Sequence, residues 1–336
     1  MAIYKLGEIG ELKYSKSFVA NGNDSDFPIF ATGGIVGYTK IPTFESNSII
    51  LPRVGTMSIY FTNKKHSTKN TAFSFKTKDD TTTKYIYYLM SSIDFSIFSI
   101  GSAVPRLTSN FWNQYFINLP PLEEQQKIID IIEPIEKLID SINFAKKKTI
   151  SLISKMGELS LLASKNIESI KFDKQKEKYI ESGNYVSTGN IGDFNNLIEK
   201  FEQLSSNPTR ARLKFKKDTL YISKLDGEKK ILYLNKDRDL VLSNGMWGIE
   251  GNEDSKYSLY AFLLSNTFYE EKTLKSTGTT MRGLNDNTLK QIINYYSITK
   301  KHNWLVKKYF VYLSFLTELL EVFYKIKNKF IKFFVV

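Results

Sequence analysis

The side chains with recognisable chemistry in this sequence are basic. Arg53, Arg106, Arg210, Arg212 and Arg282 carry planar guanidinium forks, which suit guanine O6 and N7 in a duplex major groove. The amide of Asn110 suits adenine in the same way. Lys64, Lys65, Lys69, Lys214, Lys216 and Lys217 are compact point charges suited to phosphate oxygens. Phosphate contacts set register and carry no sequence information, whereas base-edge contacts do. The competing reading of each is a solvated surface charge.

Catalytic patterns are not found. There is no cysteine and only two histidines, His66 and His302, so thiol nucleophiles and zinc sites are not expected. No G-x-x-x-x-G-K-[ST] loop occurs. Asn207-Pro208-Thr209-Arg210 departs at its third and fourth residues from the NPPY or DPPY tetrapeptide of amino-group methylation. The acidic pairs Asp79-Asp80 and Glu123-Glu124 read as surface rather than as metal ligands. The chain is therefore expected to be no enzyme, with no catalytic, metal or cofactor site of its own.

At 336 residues, with 42% hydrophobic content, the chain is long enough for two cores. Its formal charge of +12 and pI near 9.3 favour a polyanionic partner. Residues 1–120 hold 12 basic against 8 acidic side chains, 121–165 hold 7 of each, 166–300 hold 21 against 18, and 301–336 hold 7 against 2. The N-terminus lacks the apolar core of a signal peptide, and 305–324 is interrupted by Lys307, Lys308, Glu318 and Glu321. A cytoplasmic location and no membrane partner are the expectations.

A faint internal repeat organises the chain. Thr32-Gly33-Gly34-Ile35 is similar to Thr188-Gly189-Asn190-Ile191, an offset of 156. Lys84-Tyr85 recurs as Lys256-Tyr257, an offset of 172. Gly101 to Asn110 recurs as Gly278 to Asn287, an offset of 177. Offsets that grow in one direction indicate duplication with insertions in the second copy. Arg106 and Arg282 rank first among the base-reading candidates because both lie in this last segment, one position apart in register. Each copy begins with short β-rich runs, Ser48–Leu51 and Met57–Phe61, then Leu220–Ile222 and Lys230–Leu234. A short apolar helix follows, about 83–98 and about 255–271, then the Gly-containing loop, then a long helix.

Alternate steps of three and four residues mark the long helices. From Ile128 they visit Ile131, Ile135, Leu138, Ile142, Ala145, Thr149, Leu152, Met156, Leu159 and Ala163. From Leu305 they visit Tyr309, Tyr312, Leu316, Leu319, Phe323, Ile326 and Phe330. A period of 3.5 is the coiled-coil signature, and two such seams are expected to pair antiparallel. Pro120-Pro121 suits a helix start, and Pro134 is expected to kink or weaken the first helix.

Three segments resemble the specificity subunit of type I restriction–modification systems. Phe27-Pro28-Ile29-Phe30-Ala31-Thr32-Gly33-Gly34-Ile35-Val36-Gly37-Tyr38 looks like the glycine-rich opening of its target recognition domains. Ser48 to Phe75, with Arg53-Val54-Gly55 and Asn70-Thr71-Ala72, looks like the strands that follow. Asn118-Leu119-Pro120-Pro121-Leu122-Glu123-Glu124-Gln125-Gln126-Lys127-Ile128 matches the junction into the family's spacer helix, and is the most specific of the three. The second junction is degenerate, with Tyr296-Ser297-Ile298-Thr299 for Leu119–Leu122 and His302 for Gln125. The resemblance implies an α+β fold in which two globular recognition domains, 1–120 and 166–300, are separated by two long helices, 121–165 and 301–336, that form an antiparallel coiled coil. It further implies double-stranded DNA as ligand, methyltransferase subunits docked on the helices, and nuclease or translocase subunits in a larger assembly. S-adenosylmethionine then belongs to the methyltransferase partners. The alternative is a coiled-coil scaffold whose flanking domains bind protein.

Overall fold

Ile49, Ile50 and Leu51 form an unbroken apolar run, and all three are buried, as in a strand covered on both faces. In the computed structural model this run is the centre of the first sheet. The structure describes residues 2–17, 19–100, 104–159, 171–173, 183–192, 202–203, 210–234, 236–250, 256–279, 282–295 and 302–335. It comprises two compact units, Met1–Ile139 with Phe323–Val336, and Asp140–Val322.

The first unit contains β1 (Ala2–Lys5), α1 (Leu6–Ile9), β2 (Gly10–Lys13), β3 (Phe27–Ala31), β4 (Gly34–Thr39), β5 (Ser48–Pro52), β6 (Tyr60–Thr62), β7 (Ser67–Thr68), β8 (Ala72–Thr77), α2 (Asp80–Ser91), α3 (Ser109–Gln114) and β9 (Phe116–Leu119). An antiparallel sheet runs β2-β8-β5-β6, and a smaller one runs β4-β3-β7 with β3 and β7 parallel. β1 and β9 form an antiparallel ribbon. Asp79 caps α2 by accepting from the Thr82 amide at 2.9 Å. The expected helix over 83–98 ends at Ser91. The Asp94 side chain then accepts from the Ser96 amide and starts a separate 3-10 turn, Phe95–Phe98. The strand expected from Met57 begins only at Tyr60, because the chain before it turns away to bond the Gly-containing loop through Gly55.

The helix α4 (Leu122–Leu159) starts after Pro121, whose carbonyl accepts from the Glu124 and Gln125 amides. It passes through Pro134 without a break, and Pro134 faces solvent, where the lost amide bond is easiest to tolerate. Residues 160–165 of the expected spacer lie outside the described residues.

The second unit contains β10 (Lys171–Asp173), β11 (Asn184–Val186), β12 (Glu202–Gln203), β13 (Ala211–Lys214), β14 (Leu220–Ser223), β15 (Ile231–Tyr233), β16 (Leu240–Ser243), β17 (Met246–Glu250), α5 (Lys256–Leu263), α6 (Asn266–Lys275), α7 (Asp286–Tyr295) and α8 (Asn303–Val335). Of its two four-stranded sheets, β10-β17-β14-β15 repeats the order β2-β8-β5-β6 strand for strand. The register repeats too. Ile49 pairs with Phe75 and Phe61 as Leu220 pairs with Ile249 and Tyr233, and Leu12 pairs with Phe75 as Phe172 pairs with Ile249. The parallel pair recurs, β3 with β7 and β11 with β16. β13 extends what is a single bridge in the first unit, where Phe44 pairs antiparallel with His66 beside β7 as the segment ending at Phe215 pairs with β16.

The buried stripes of the long helices differ from the expected seams. In α4 the buried positions include Ile128, Ile132, Ile139, Ile142, Lys146, Thr149 and Ile153, while Ile131, Leu138 and Leu152 are exposed. One heptad position matches the expected walk and the other is displaced by one residue. In α8 the buried positions Val306, Phe310, Leu313, Thr317, Leu320 and Ile331 lie one residue after those expected, Leu316 of the expected walk is buried among them, and Tyr312, Ile326 and Phe330 are exposed. Either walk is almost wholly apolar, so hydrophobicity alone does not choose between them. The true seam admits the charged Lys146, which the expected one replaced with Ala145.

Within each unit the helices pair antiparallel. In the first, Ile128, Ile129 and Ile132 share a core with Ile331, and Glu136 ion-pairs with Lys327. In the second, Ile153 shares a core with Val306, Phe310 and Leu313, and Glu321 supplies the charge facing Lys146. Burial lowers the Lys146 ammonium to about 8. Gly157 is required where α4 meets α5, since a side chain there would strike the Ala261 carbonyl. Among the described residues, no helix is long and apolar enough to cross a membrane.

Two outcomes test this packing. Ile153→Ala, at a fully buried position, is expected to cost about 3 kcal/mol, and Leu152→Ala, at an exposed one, less than about 1 kcal/mol, measured by urea unfolding. Equal costs would refute the displaced seam. His66 is the second. Its ring is buried against Phe30 and Phe44, with Nε2 2.9 Å from Ser74 Oγ, and burial lowers it to about 4. The unfolded chain then binds a proton that the folded chain refuses between pH 6.5 and 4. Stability therefore falls as pH drops through that window, by about 3 kcal/mol in all. Thermal melts of His66→Gln should lack this component of the acid loss.

Candidate nucleic-acid interface

The Gly-containing loop is held by backbone bonds that recur in both units. In the first, the Gly55 amide donates to Pro105 O at 2.9 Å, Leu107 to Arg53 O at 3.0 Å, and Ile100 to Arg106 O at 3.0 Å. In the second, Asp226 donates to Arg282 O at 2.9 Å, Leu284 to Lys224 O at 3.1 Å, and Thr277 to Gly283 O at 3.0 Å. The β-bridges agree, Val54 and Ile100 facing Arg106 as Leu225 and Thr277 face Gly283. The structural register therefore equates Arg106 with Gly283, and Pro105 with Arg282. The one-position slip in the sequence repeat is real. α3 and α7 follow at the same offset of 177, and buried Leu107 and Leu284 anchor the two loops.

This register separates the two leading arginines. Arg106 is exposed, and its guanidinium has no hydrogen-bond or ion-pair partner among the described residues. Arg282 is engaged within its own unit. Its Nη2 donates to the carbonyls of Thr273 and Ser276 at 3.0 and 3.2 Å, and its Nη1 lies 3.9 Å from Asp226 Oδ2. Arg282 thereby ties the loop to α6 and to the β14–β15 hairpin.

Arg53 is half-buried. Its guanidinium stacks 5.1 Å from the Tyr14 ring and 5.7 Å from the Phe73 ring, and donates to Asn70 O at 2.7 Å. The amides of Arg53 and Val54 both donate to Thr71 O, so the two tripeptides singled out in the sequence, 53–55 and 70–72, are neighbours. The structural counterpart of Arg53 is Lys224, whose ammonium lies 5.6 Å from the Trp247 ring. Sequence reasoning missed Lys224. The signal was there, since Ile49-Ile50-Leu51-Pro52-Arg53 and Leu220-Tyr221-Ile222-Ser223-Lys224 both place a cation directly after a buried strand.

The remaining candidates are scattered over the two units. Lys64 and Lys69 are exposed without ion pairs among the described residues, and Lys65 pairs with Glu45 at 3.1 Å. Asn110 is exposed in the first turn of α3. Arg210 is exposed just before β13, with its carbonyl accepting from the Asn244 amide. Lys214 is exposed on β13 itself, while Lys216 and Lys217 pair with Glu250 and Asp237 at 3.5 and 3.1 Å. The side chain of Arg212, the loop residues Gly101 to Ala103 and Met281, and the second junction at 296–300 lie outside the described residues. A cleft of about 1280 Å³ in the first unit is lined by Lys13, Glu45, Lys76, Asp79 and Pro121, and by none of the candidate readers. Among the described residues, no group of acidic or histidine side chains stands close enough to hold a metal ion.

Residues 1–152, from β1 into α4, match the family of type I restriction modification DNA specificity domains. A Mycoplasma pneumoniae protein named as a type I specificity subunit, S.MpnORF285P, is 23% identical over 163 residues, covering 44% of this chain and 53% of that protein. The chain thus spans about half the length of the curated relative it matches. Among solved structures, the S subunit of a type I restriction–modification system from M. genitalium matches over 98% of this chain and 95% of that one, at 16% identity and a TM-score of 0.45. The HsdS subunit from Thermoanaerobacter tengcongensis matches at 11% identity and a TM-score of 0.32, over 98% and 95%. Scores below 0.5 carry no weight of their own; the specificity-domain assignment rests on residues 1–152.

The two loop arginines differ in what their removal should do. Arg282→Ala is expected to lower the unfolding midpoint of the second unit by several degrees, because it frees two carbonyls and the Asp226 carboxylate. Arg106→Ala is expected to leave the midpoint of the first unit unchanged within about 1 °C. Differential scanning calorimetry reads both, and a large shift for Arg106→Ala would show that its side chain is structural.

Proposed function

We propose that this chain is the sequence-reading subunit of a type I restriction–modification complex, each unit contacting one half of a bipartite duplex target. The observation that carries the reading is the specificity domain of residues 1–152 together with its second copy, repeated in strand order, strand register and loop bonding. A basic chain with a duplicated recognition fold suits a ligand that presents two sites on one polyanion.

In this reading the helices α4 and α8 set the distance between half-sites and dock methyltransferase subunits. Their exposed side chains Ile131, Leu138, Phe144 and Leu152 on α4, and Val311 and Phe315 on α8, offer apolar surface for helices of a partner. Methyl transfer from S-adenosylmethionine belongs to those partners, nuclease or translocase subunits join the larger assembly, and this chain performs no chemistry itself.

The full chain, with whatever subunits co-purify, is expected to bind duplex DNA with an affinity that falls steeply with salt. The log–log slope should be at least about −3, one phosphate contact contributing about −0.9. A co-purifying methyltransferase is expected as well. Salt-independent binding with no methyltransferase partner would instead identify a protein-binding scaffold.

A further inference from the structure

Equivalent loops in the two units carry different residues, Arg106 in the first and Gly283 in the second. We propose that Arg106 reads a guanine in the half-site of the first unit, and that the equivalent place in the second unit holds no reader, so the two half-sites are recognised by different means. This rests on the specificity-subunit reading and assigns its key contact.

The backbone around Arg106 is immobilised on three sides by the bonds from Gly55, Leu107 and Ile100, while its side chain stays exposed and uncommitted. Such a residue has its backbone anchored before any ligand arrives, and its side chain breaks no internal contact on binding. Its neighbours select a base edge over a phosphate. Ile100 and Val104 are 74% and 54% exposed. Aliphatic groups gain nothing beside a phosphate oxygen, but beside a thymine methyl they bury apolar area while the arginine engages guanine O6 and N7. Arg53, one bridge away in the fold, cannot serve equally, since its guanidinium is already stacked and hydrogen-bonded.

At Gly283 the same backbone position is barred to side chains. A Cβ there would stand 2.7 Å from the Lys224 carbonyl oxygen, part of the backbone that brackets the loop. The adjacent Arg282 is exposed, but its guanidinium is bonded to Thr273 and Ser276 and lies beside Asp226. The second unit must therefore read its half-site from elsewhere on its surface, and exposed Arg210 has no bond or ion pair holding its side chain among the described residues.

The test is a map of methylated bases across the native host's genome, with this gene deleted and then restored as wild type, Arg106→Ala or Arg106→Lys. Wild type is expected to restore a bipartite motif. Arg106→Ala should restore the same motif with one G·C pair in one half relaxed by about 10- to 100-fold, the other half intact. Arg106→Lys, which keeps the charge and loses the rigid fork, should relax the same pair to a smaller degree than Arg106→Ala. An unchanged motif in Arg106→Ala overturns the proposal. So does uniformly weaker methylation with no base-pair relaxed, which marks a phosphate contact. Loss of all methylation in both variants, with unfolding midpoints at the wild-type value, also overturns it, because a single-pair reader does not carry the whole assembly. If wild type itself restores no motif, the specificity-subunit reading fails, and that result is distinct from all of these.

Discussion

Each unit closes its core on stretches of both long helices, and the rest of the structure depends on that closure. The first core is completed by Ile128, Ile129 and Ile132 of α4 and by Ile331 of α8. The second is completed by Ile153 of α4 and by Val306, Phe310 and Leu313 of α8. The helices are thus parts of the cores of both units. Buried charge fixes how they pair. Glu136 meets Lys327, and Glu321 faces Lys146, so sliding one helix past the other strands a buried ion. Such groups add little stability, but they make other registers costly.

On this frame the two units carry the same sheet, the same parallel strand pair and the same bracketed loop, while their side chains diverge. In the first unit Phe95 packs against Trp112. In the second, Lys272 of α6 is fully buried and donates to the carbonyls of Ser223 and Glu228. The cation after the central strand survives the change from Arg53 to Lys224 because both find an aromatic face. The backbone scaffold is common to the units, and the groups it offers to a ligand are not.

Much of this was legible in the residues. The repeat, its offsets and the slip between Arg106 and Arg282 were visible in aligned segments, and the structure returns the same 177-residue register. Strands β5, β14 and β15 and the start of α4 followed from apolar runs and from Pro120-Pro121. Lys224 was overlooked because the strands preceding it and Arg53 share a pattern of burial rather than of residue identity.

The sequence by itself determined that there are two copies of one fold, two long helices and a surplus of positive charge, since these are written in spacing and composition. The tertiary structure decided which face of each helix is buried. Ile131 and Ile132, or Leu152 and Ile153, are equally apolar, and only the neighbours they meet distinguish them. It also decided which arginine is free. Arg106 and Arg282 have the same chemistry and nearly the same place in the repeat, but the carbonyls of Thr273 and Ser276 and the sequence-distant Asp226 carboxylate converge on Arg282, and no such groups reach Arg106 among the described residues. A side chain's availability depends on what the fold brings beside it, and the local sequence does not encode that.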